Sequence, residues 1–281
     1  MTIAEALRDA SRRLAEGGVT DHAREANSLL RFVTGRDRAF LVAHSEEHLT
    51  ADEASRFENA VSRRSKREPL QYITGKQEFF GRNFVVTPDV LIPRPETEML
   101  VEHSIRTVCE MDNAVLAEVG IGSGCIAISI LAECPGATAT GMDISPAALA
   151  VAERNARQHG VDQRLELLES DLFTAASGRQ FDLIVSNPPY VPLNDLETLQ
   201  AEVRLFEPQL ALTDGGDGLS IIRRLIRDAP QFLRSGGVLL LEIGIGQSEA
   251  VLAMFDRDIW REVLFHRDFQ GIPRVLRAAI K

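Results

Sequence analysis

The chain of 281 residues is short of cysteine, of long apolar runs and of basic charge. Its three cysteines, Cys109, Cys125 and Cys134, are too few and too odd in number for a disulfide scaffold. They read as buried or incidental thiols of a reducing compartment. The longest stretch without a charge is 119–132, fourteen residues with three glycines. A membrane span needs about 20 predominantly apolar residues. Arg8, Asp9, Arg12, Arg13 and Glu16 break up the first turns of chain, so no signal peptide, no membrane association and a cytoplasmic location are expected. The 31 Lys and Arg face 41 Asp and Glu, for a net charge of −10. That balance argues against holding duplex DNA by neutralising phosphates, and no direct DNA binding is expected. With 44% hydrophobic and 26% charged residues, the composition is that of a soluble globular chain, which excludes disorder and collagen.

What is present divides in two. Residues 1–85 carry 14 basic and 13 acidic side chains, whereas residues 86–281 carry 17 and 28. The early part reads as a small helical bundle over residues 1–75. Thr2 and Glu5 have capping-box spacing, Ile3, Leu7, Ala10 and Leu14 follow at helical spacing, and Gly17-Gly18 ends the run. A second helix is expected from Asp21 to Gly35 with Ala26, Leu29, Leu30 and Val33 inward, and a third from Arg38 to His44. Thr50 and Glu53 repeat the capping box before Phe57 and Val61. Residues 76–96 read as a linker, with strands at 77–80 and 83–86 forming a β-hairpin about Gly81.

From residue 97 to 281, apolar strands and helices alternate. Strands are expected at 115–119, 139–142, 164–168, 181–186 and 238–243, with a closing pair near 262–266 and 274–278. Helices such as 146–159 and 219–233 fill the gaps. Such alternation predicts an α/β domain with a parallel sheet covered on both faces.

Two motifs carry chemistry. Gly120-Ile121-Gly122-Ser123-Gly124 follows the first of these strands and opens a helix. Glycines at that turn let the backbone approach a ligand. The spacing is neither the dinucleotide fingerprint nor the phosphate loop of nucleotide triphosphatases, and alone it also fits a tight turn without a ligand. Asp143, at the end of the next strand, adds an acid suited to ribose hydroxyls. Together they suit a nucleoside cofactor with a ribose and no pyrophosphate, a description that S-adenosyl-L-methionine fits.

The second motif, Asn187-Pro188-Pro189-Tyr190, ends the strand 181–186. A planar amide or amino nitrogen is a poor nucleophile because its lone pair is delocalised. Two acceptors gripping its two N–H groups, the Asn187 side-chain oxygen and the Pro188 carbonyl, turn the lone pair toward a methyl donor. They also stabilise the positive charge that develops on nitrogen. The prolines stiffen the turn, and Tyr190 offers a flat face for stacking.

These residues resemble the class I S-adenosylmethionine-dependent methyltransferases and, more narrowly, the release-factor glutamine N5-methyltransferases. The likeness covers nearly the whole chain. It runs through Pro69-Leu70-Gln71-Tyr72-Ile73-Thr74-Gly75, Phe79-Phe80-Gly81, Ile92-Pro93-Arg94-Pro95-Glu96-Thr97-Glu98, the glycine loop and Asp143-Ile144-Ser145. Asn155, Ser170-Asp171, Ser186 to Tyr190, Phe206-Glu207-Pro208, Asp217-Gly218-Leu219, Leu241-Glu242-Ile243-Gly244 and Gln247 extend it. The resemblance implies a Rossmann-like class I methyltransferase sheet, a small N-terminal helical bundle that recognises the substrate, and a linking β-hairpin. It implies methylation of the glutamine in the Gly-Gly-Gln motif of peptide chain release factors. Gly120, Ile121, Gly122, Ser123, Gly124, Asp143 and Asn187 would hold the cofactor, Leu172 would lie against the adenine, and Leu91, Arg94 and Thr97 would close over it. Asn187, Pro188, Pro189 and Tyr190 would bind the substrate, with Asn187, Pro188 and Tyr190 as the catalytic set. A monomer is expected. Glu118 stands where the family usually has aspartate and is expected to shift cofactor hydrogen bonding slightly; Leu172 stands where an aromatic residue is common.

His44 and His48 have the spacing of a zinc-protease pair, but Ser45 replaces the required Glu, and no metal is expected. The basic run 63–67 suits helix-end complementarity and solvation, or an acidic or RNA partner. Glu207 and Glu242 are candidate general bases or structural hydrogen-bonding groups. Two other functions fit the motifs less well: an adenine-N6 nucleic-acid methyltransferase, disfavoured by charge, and a cofactor-binding regulator without catalysis, disfavoured by the intact Asn187 to Tyr190 motif.

Overall fold

The computed structural model describes residues 1–108 and 111–281. Cys109 lies outside the described residues, while Cys125 and Cys134 are buried. The chain forms two compact units, Met1–Lys76 with Gln200–Phe206, and Gln77–Leu199 with Glu207–Lys281.

The first unit holds α1 (Ile3–Glu16), α2 (His22–Thr34), α3 (Arg38–Ala43), α4 (Ala51–Ser65) and α5 (Leu70–Thr74). Both expected capping boxes form: Thr2 and Glu5 exchange bonds of 2.8 and 3.2 Å, and Thr50 and Glu53 bonds of 2.9 and 3.2 Å. Apolar positions on one face of each long helix meet in a core of Ile3, Ala10, Leu14, Leu29, Leu30, Phe57 and Val61. Helix α5 is too short, at five residues, to show a period in the sequence. His44 stacks on Phe40 and His48 bridges to Thr2, so the two histidines sit in turns rather than on one helix face. The basic run finds its acidic partners inside this unit. Arg63 pairs with Glu68, Arg64 with Glu25 and Glu202, and Arg67 with Glu202 and the Gly18 carbonyl. Glu202 arrives from 200–206, a segment that contributes the short helix described below.

In the second unit β1 (Lys76–Phe79) and β2 (Arg82–Val85) form the hairpin. Phe80 and Gly81 both adopt positive φ, the geometry of a two-residue turn; Phe80 therefore belongs to the turn and not to the expected strand. The chain continues through α6 (Glu98–Val108), β3 (Val115–Val119), α7 (Cys125–Glu133), β4 (Thr138–Asp143), α8 (Pro146–Gln158), β5 (Leu165–Glu169) and β6 (Phe181–Ser186). After α9 (Ala201–Phe206), which belongs to the first unit, come α10 (Ser220–Asp228), β7 (Leu233–Glu242), α11 (Ser248–Leu252), β8 (Trp260–Arg267) and β9 (Pro273–Ile280).

The seven strands are ordered β5-β4-β3-β6-β7-β9-β8. Strands β3 to β7 are parallel, whereas β9 runs antiparallel to β7 and β8. The link between β8 and β9 is too short for a parallel crossover, so the closing pair must fold back as a hairpin. The expected helix 219–233 stops at Asp228; Pro230 cannot continue it and sits in a short 3-10 turn. Strand β7 consequently starts five residues earlier than the apolar run 238–243 suggests.

The sheet reverses direction of growth at β3, whose neighbours are β4 and β6. In open α/β sheets ligands bind beyond the carboxyl ends of the strands at such a point. Gly120, Asp143, Asn187 and the end of β7 at Glu242 share that edge.

Candidate active site

The glycine loop is built for close approach. Gly120, Gly122 and Gly124 have φ of 72°, 54° and 79°, a region that side chains rarely tolerate. A Cβ at Gly120 or Gly122 would meet nothing within 4 Å, so open space lies over the loop. Ile121 turns its side chain the other way. Its Cδ1 occupies the space a Cβ on Gly141 would need, so only its backbone is left for a ligand.

Asp143 fixes the loop from the next strand. Its Oδ2 accepts from the Gly122 N–H and its Oδ1 from the Ser145 N–H, both at 2.9 Å. Carboxylate oxygens accept more than one bond each, so the group keeps capacity for hydroxyls. Helix α7 has glycine at its N-cap and no side-chain cap there. Glu118 supplies one from within β3: it is 1% exposed and accepts the Ala127 N–H at 2.7 Å. Burial pushes its carboxyl well above the usual range, against the pull of that bond. Glu118 thus serves the helix beneath the loop, a role its spacing did not reveal.

Asn155 is another residue whose task emerges only in three dimensions. Fully buried on α8, it exchanges bonds of 2.7 and 3.0 Å with the Val85 backbone and donates at 2.8 Å to the Ser123 carbonyl. It ties the hairpin to the glycine loop.

The Asn187 to Tyr190 segment leaves β6 beside this loop, and the buried Ser186 hydroxyl donates to the Val119 carbonyl at 2.7 Å. Asn187 Nδ2 donates to the Thr97 hydroxyl at 3.1 Å. Among the described residues no donor occupies Asn187 Oδ1 or the Pro188 carbonyl. Tyr190 is held on every side. Its hydroxyl donates to Glu242 at 3.0 Å, and its carbonyl accepts from Gln247 at 2.9 Å. A Cβ on Gly218 would lie 2.2 Å from that carbonyl oxygen, and one on Gly244 would lie 3.2 Å from the ring. These contacts give physical roles to Gly218, Gly244 and Gln247, which the sequence marks only by resemblance. Burial pushes the Tyr190 phenol well up, and the Glu242 charge adds to it, so the hydroxyl stays a neutral donor.

The remaining residues cluster by the same edge. The buried Glu207 accepts from the Ile92 N–H and from Arg94, fixing the turn that carries Leu91, Arg94 and Thr97. Leu172 is half-buried and held at φ 50°, unusual for a branched side chain. The neighbouring Asp171 is paired with Arg224.

Residues 5–75 match the PrmC N-terminal domain and residues 95–222 the methyltransferase small domain. The chain is similar to a release factor glutamine methyltransferase of Geobacter sulfurreducens, 46% identical over 95% of this chain and 93% of that one. It is 45% identical to another of that description from Cereibacter sphaeroides, over 100% and 99% of the two chains. Among solved structures, a methyltransferase from Pyrococcus furiosus overlays with a TM-score of 0.53 at 14% identity, covering 82% of this chain and 98% of that one; this likeness shows the fold. With such identity along almost the full length of both relatives, the chain belongs to the release factor glutamine methyltransferase family.

Proposed function

We propose that the protein transfers a methyl group from S-adenosyl-L-methionine to the side-chain nitrogen of the glutamine in the Gly-Gly-Gln motif of a peptide chain release factor. The observation that carries this reading is a pair of acceptors to which no described residue donates, Asn187 Oδ1 and the Pro188 carbonyl, beside an open glycine loop. A primary amide has two N–H groups in one plane, and two acceptors fix that plane. The free space over Gly120 and Gly122 and the carboxylate of Asp143 fit a nucleoside cofactor. The loop backbone, Ser123 and Asp143 would hold it, with Leu91, Arg94, Thr97 and Leu172 around it. When bound, it supplies a methyl group activated by a positively charged sulfur.

The chain's own residues do the rest. Asn187 and Pro188 orient the amide so that its nitrogen lone pair is exposed out of plane. They also stabilise the positive charge that grows there, preorganised because Thr97 holds the Asn187 side chain. Tyr190 presents its ring to the planar group, and Pro189 stiffens the turn. The family names of the relatives support the substrate class. The helical unit is the part we assign to recognising the release factor; among the described residues no helix is long and apolar enough to cross a membrane, and a cytoplasmic monomer fits this reading.

Mass spectrometry of a release-factor peptide, incubated with protein and cofactor beside adenine-containing DNA, tests the reading. Added methyl mass on the glutamine is expected, and none when that glutamine is alanine. Label on adenine with none on glutamine would overturn the proposal in favour of nucleic-acid methylation.

A further inference from the structure

The end of β7 carries a carboxylate that the transfer itself does not use. Glu242 is 2% exposed, and its Oε1 accepts the Tyr190 hydroxyl at 3.0 Å. Among the described residues its Oε2 is buried without a hydrogen-bond partner of ordinary geometry. The Thr97 hydroxyl acts on this same carboxylate, favouring its charged form, while the Thr97 oxygen receives the Asn187 amide at 3.1 Å. A hydroxyl has a single proton to give. The Thr97 oxygen accepts from Asn187, which leaves its one proton free for Glu242, whose Oε2 lacks a donor. A relay of this kind would settle what an asparagine leaves open. An amide fits its slot with either end toward Thr97, and only one of the two ends presents Oδ1 to a substrate N–H. The reverse sets donor against donor.

We infer that Glu242 is a positioning residue which, through the Thr97 hydroxyl, sets the end of the Asn187 amide that faces the substrate nitrogen. The inference rests on the glutamine reading of the site. Its other oxygen holds Tyr190, so one carboxylate aligns two of the groups that meet the substrate. Besides Tyr190 and Thr97, the groups facing it are Arg274 on β9, Glu96 before α6 and Cys125 at the start of α7. Burial raises its pKa above the usual carboxylate range; Thr97, Tyr190 and Arg274 oppose this, and Glu96 adds to it. Once protonated, Glu242 donates from Oε2 to Thr97. Thr97 then turns its proton to Asn187, and the amide reverses. Turnover is therefore lost as pH falls through the raised Glu242 pKa.

Glu242→Gln keeps an acceptor for Tyr190 and offers Thr97 a donor in place of an acceptor. On a release-factor glutamine peptide its kcat should fall about tenfold to a hundredfold, the scale of one misdirected polar contact. The peptide KM and the calorimetric affinity for S-adenosylmethionine should stay near wild type, and the acid limb of kcat should vanish. Thr97→Val should lose the limb as well, which covers a Glu242→Gln that fails to fold, whereas Tyr190→Phe should keep it. In protein labelled with ¹⁵N-asparagine, the Asn187 side-chain amide should titrate with Glu242 in the wild type and stand still in Glu242→Gln. Retention of kcat and its acid limb in the variants, or an Asn187 amide that does not titrate in the wild type, overturns the inference. Cofactor affinity falling together with kcat does so in favour of a merely structural role. A titrating Asn187 amide in a protein that leaves glutamine unmethylated upholds the inference about Glu242 and overturns the substrate reading alone.

Discussion

The two units spend polar side chains differently. Among the described residues of the helical unit, Arg64 is the one charged or polar side chain that is fully buried. The described residues of the sheet unit bury twelve, among which Thr97, Glu118, Asn155, Ser186, Glu207 and Glu242 lie near the carboxyl edge of its strands. Buried polar groups cost free energy unless they are hydrogen-bonded. In the bundle that cost is confined to one clamp between helices. In the sheet unit the buried charged groups, Glu118, Glu207 and Glu242, sit where a loop and a turn must be held in place. A buried polar group marks rigidity in both units, but only in the second does it lie beside acceptors that no described residue occupies.

The largest expected effect breaks the clamp. Arg64→Ala leaves Glu25 and Glu202 facing each other without their shared cation, and removing one member of such a buried pair costs about 3–5 kcal/mol. Hydrogen exchange should accelerate for the amides of α2 and α4, while those of the central strands keep their protection; equal loss in both units would sink the distinction. Burial pushes the Glu202 carboxyl up, but the bonds from Arg67 and Arg64 outweigh it and hold it below its usual value. Its contribution is therefore complete above the ordinary carboxylate range and is lost as pH falls through the depressed value. Acid titration of bundle stability should show that loss in the wild type and less of it in Arg64→Ala.

Next in size is Asn187→Ala, which removes one preorganised acceptor and should lower kcat by about 10²–10³, or 2.7–4 kcal/mol, with little change in melting temperature. A melting shift as large as that of Arg64→Ala would make Asn187 a structural residue. Asp143→Ala should weaken cofactor binding by roughly ten- to a hundredfold, the scale of charge-assisted bonds of about 1.5–3 kcal/mol. Titration calorimetry on a folded variant checks it, and unchanged affinity would remove Asp143 from the site. The smallest effect belongs to the bundle surface. Thr50→Ala deletes a capping-box hydroxyl and should cost about 1 kcal/mol in denaturant titration, with methyl transfer unaltered.

Much of this was legible in the sequence, and the limits are physical. Capping boxes at Thr2 and Thr50, glycines at 120, 122 and 124, and the strand ending at Ser186 are local signals, so they could be read and they form. What went unread is the set of contacts these residues make across elements. Asn155 meets Val85 and Ser123, Glu118 caps a helix from inside a strand, and Glu242 meets Tyr190. No periodicity encodes such pairs. The basic run ends its helix as expected, with Arg63 and Arg64 in the last turn, but one acidic partner could not be read, since Glu202 lies 135 positions beyond Arg67. Helix α5 and the early start of β7 were missed because a five-residue turn has no period and because Gly236-Gly237 disguises the first half of a strand.

That distance between Arg67 and Glu202 has a consequence for synthesis on the ribosome. The first five helices leave the exit tunnel with Arg64 and Arg67 still lacking one of their carboxylates. At elongation rates of about 5–20 residues per second, Glu202 follows on the order of ten seconds later. During that interval Arg64 has Glu25 as its acidic partner, and the bundle waits for a piece of chain made after most of the sheet. The last step in completing the amino-terminal unit therefore belongs to the arrival of residues 200–206. A gene fragment ending at residue 76 would encode a bundle that never receives them.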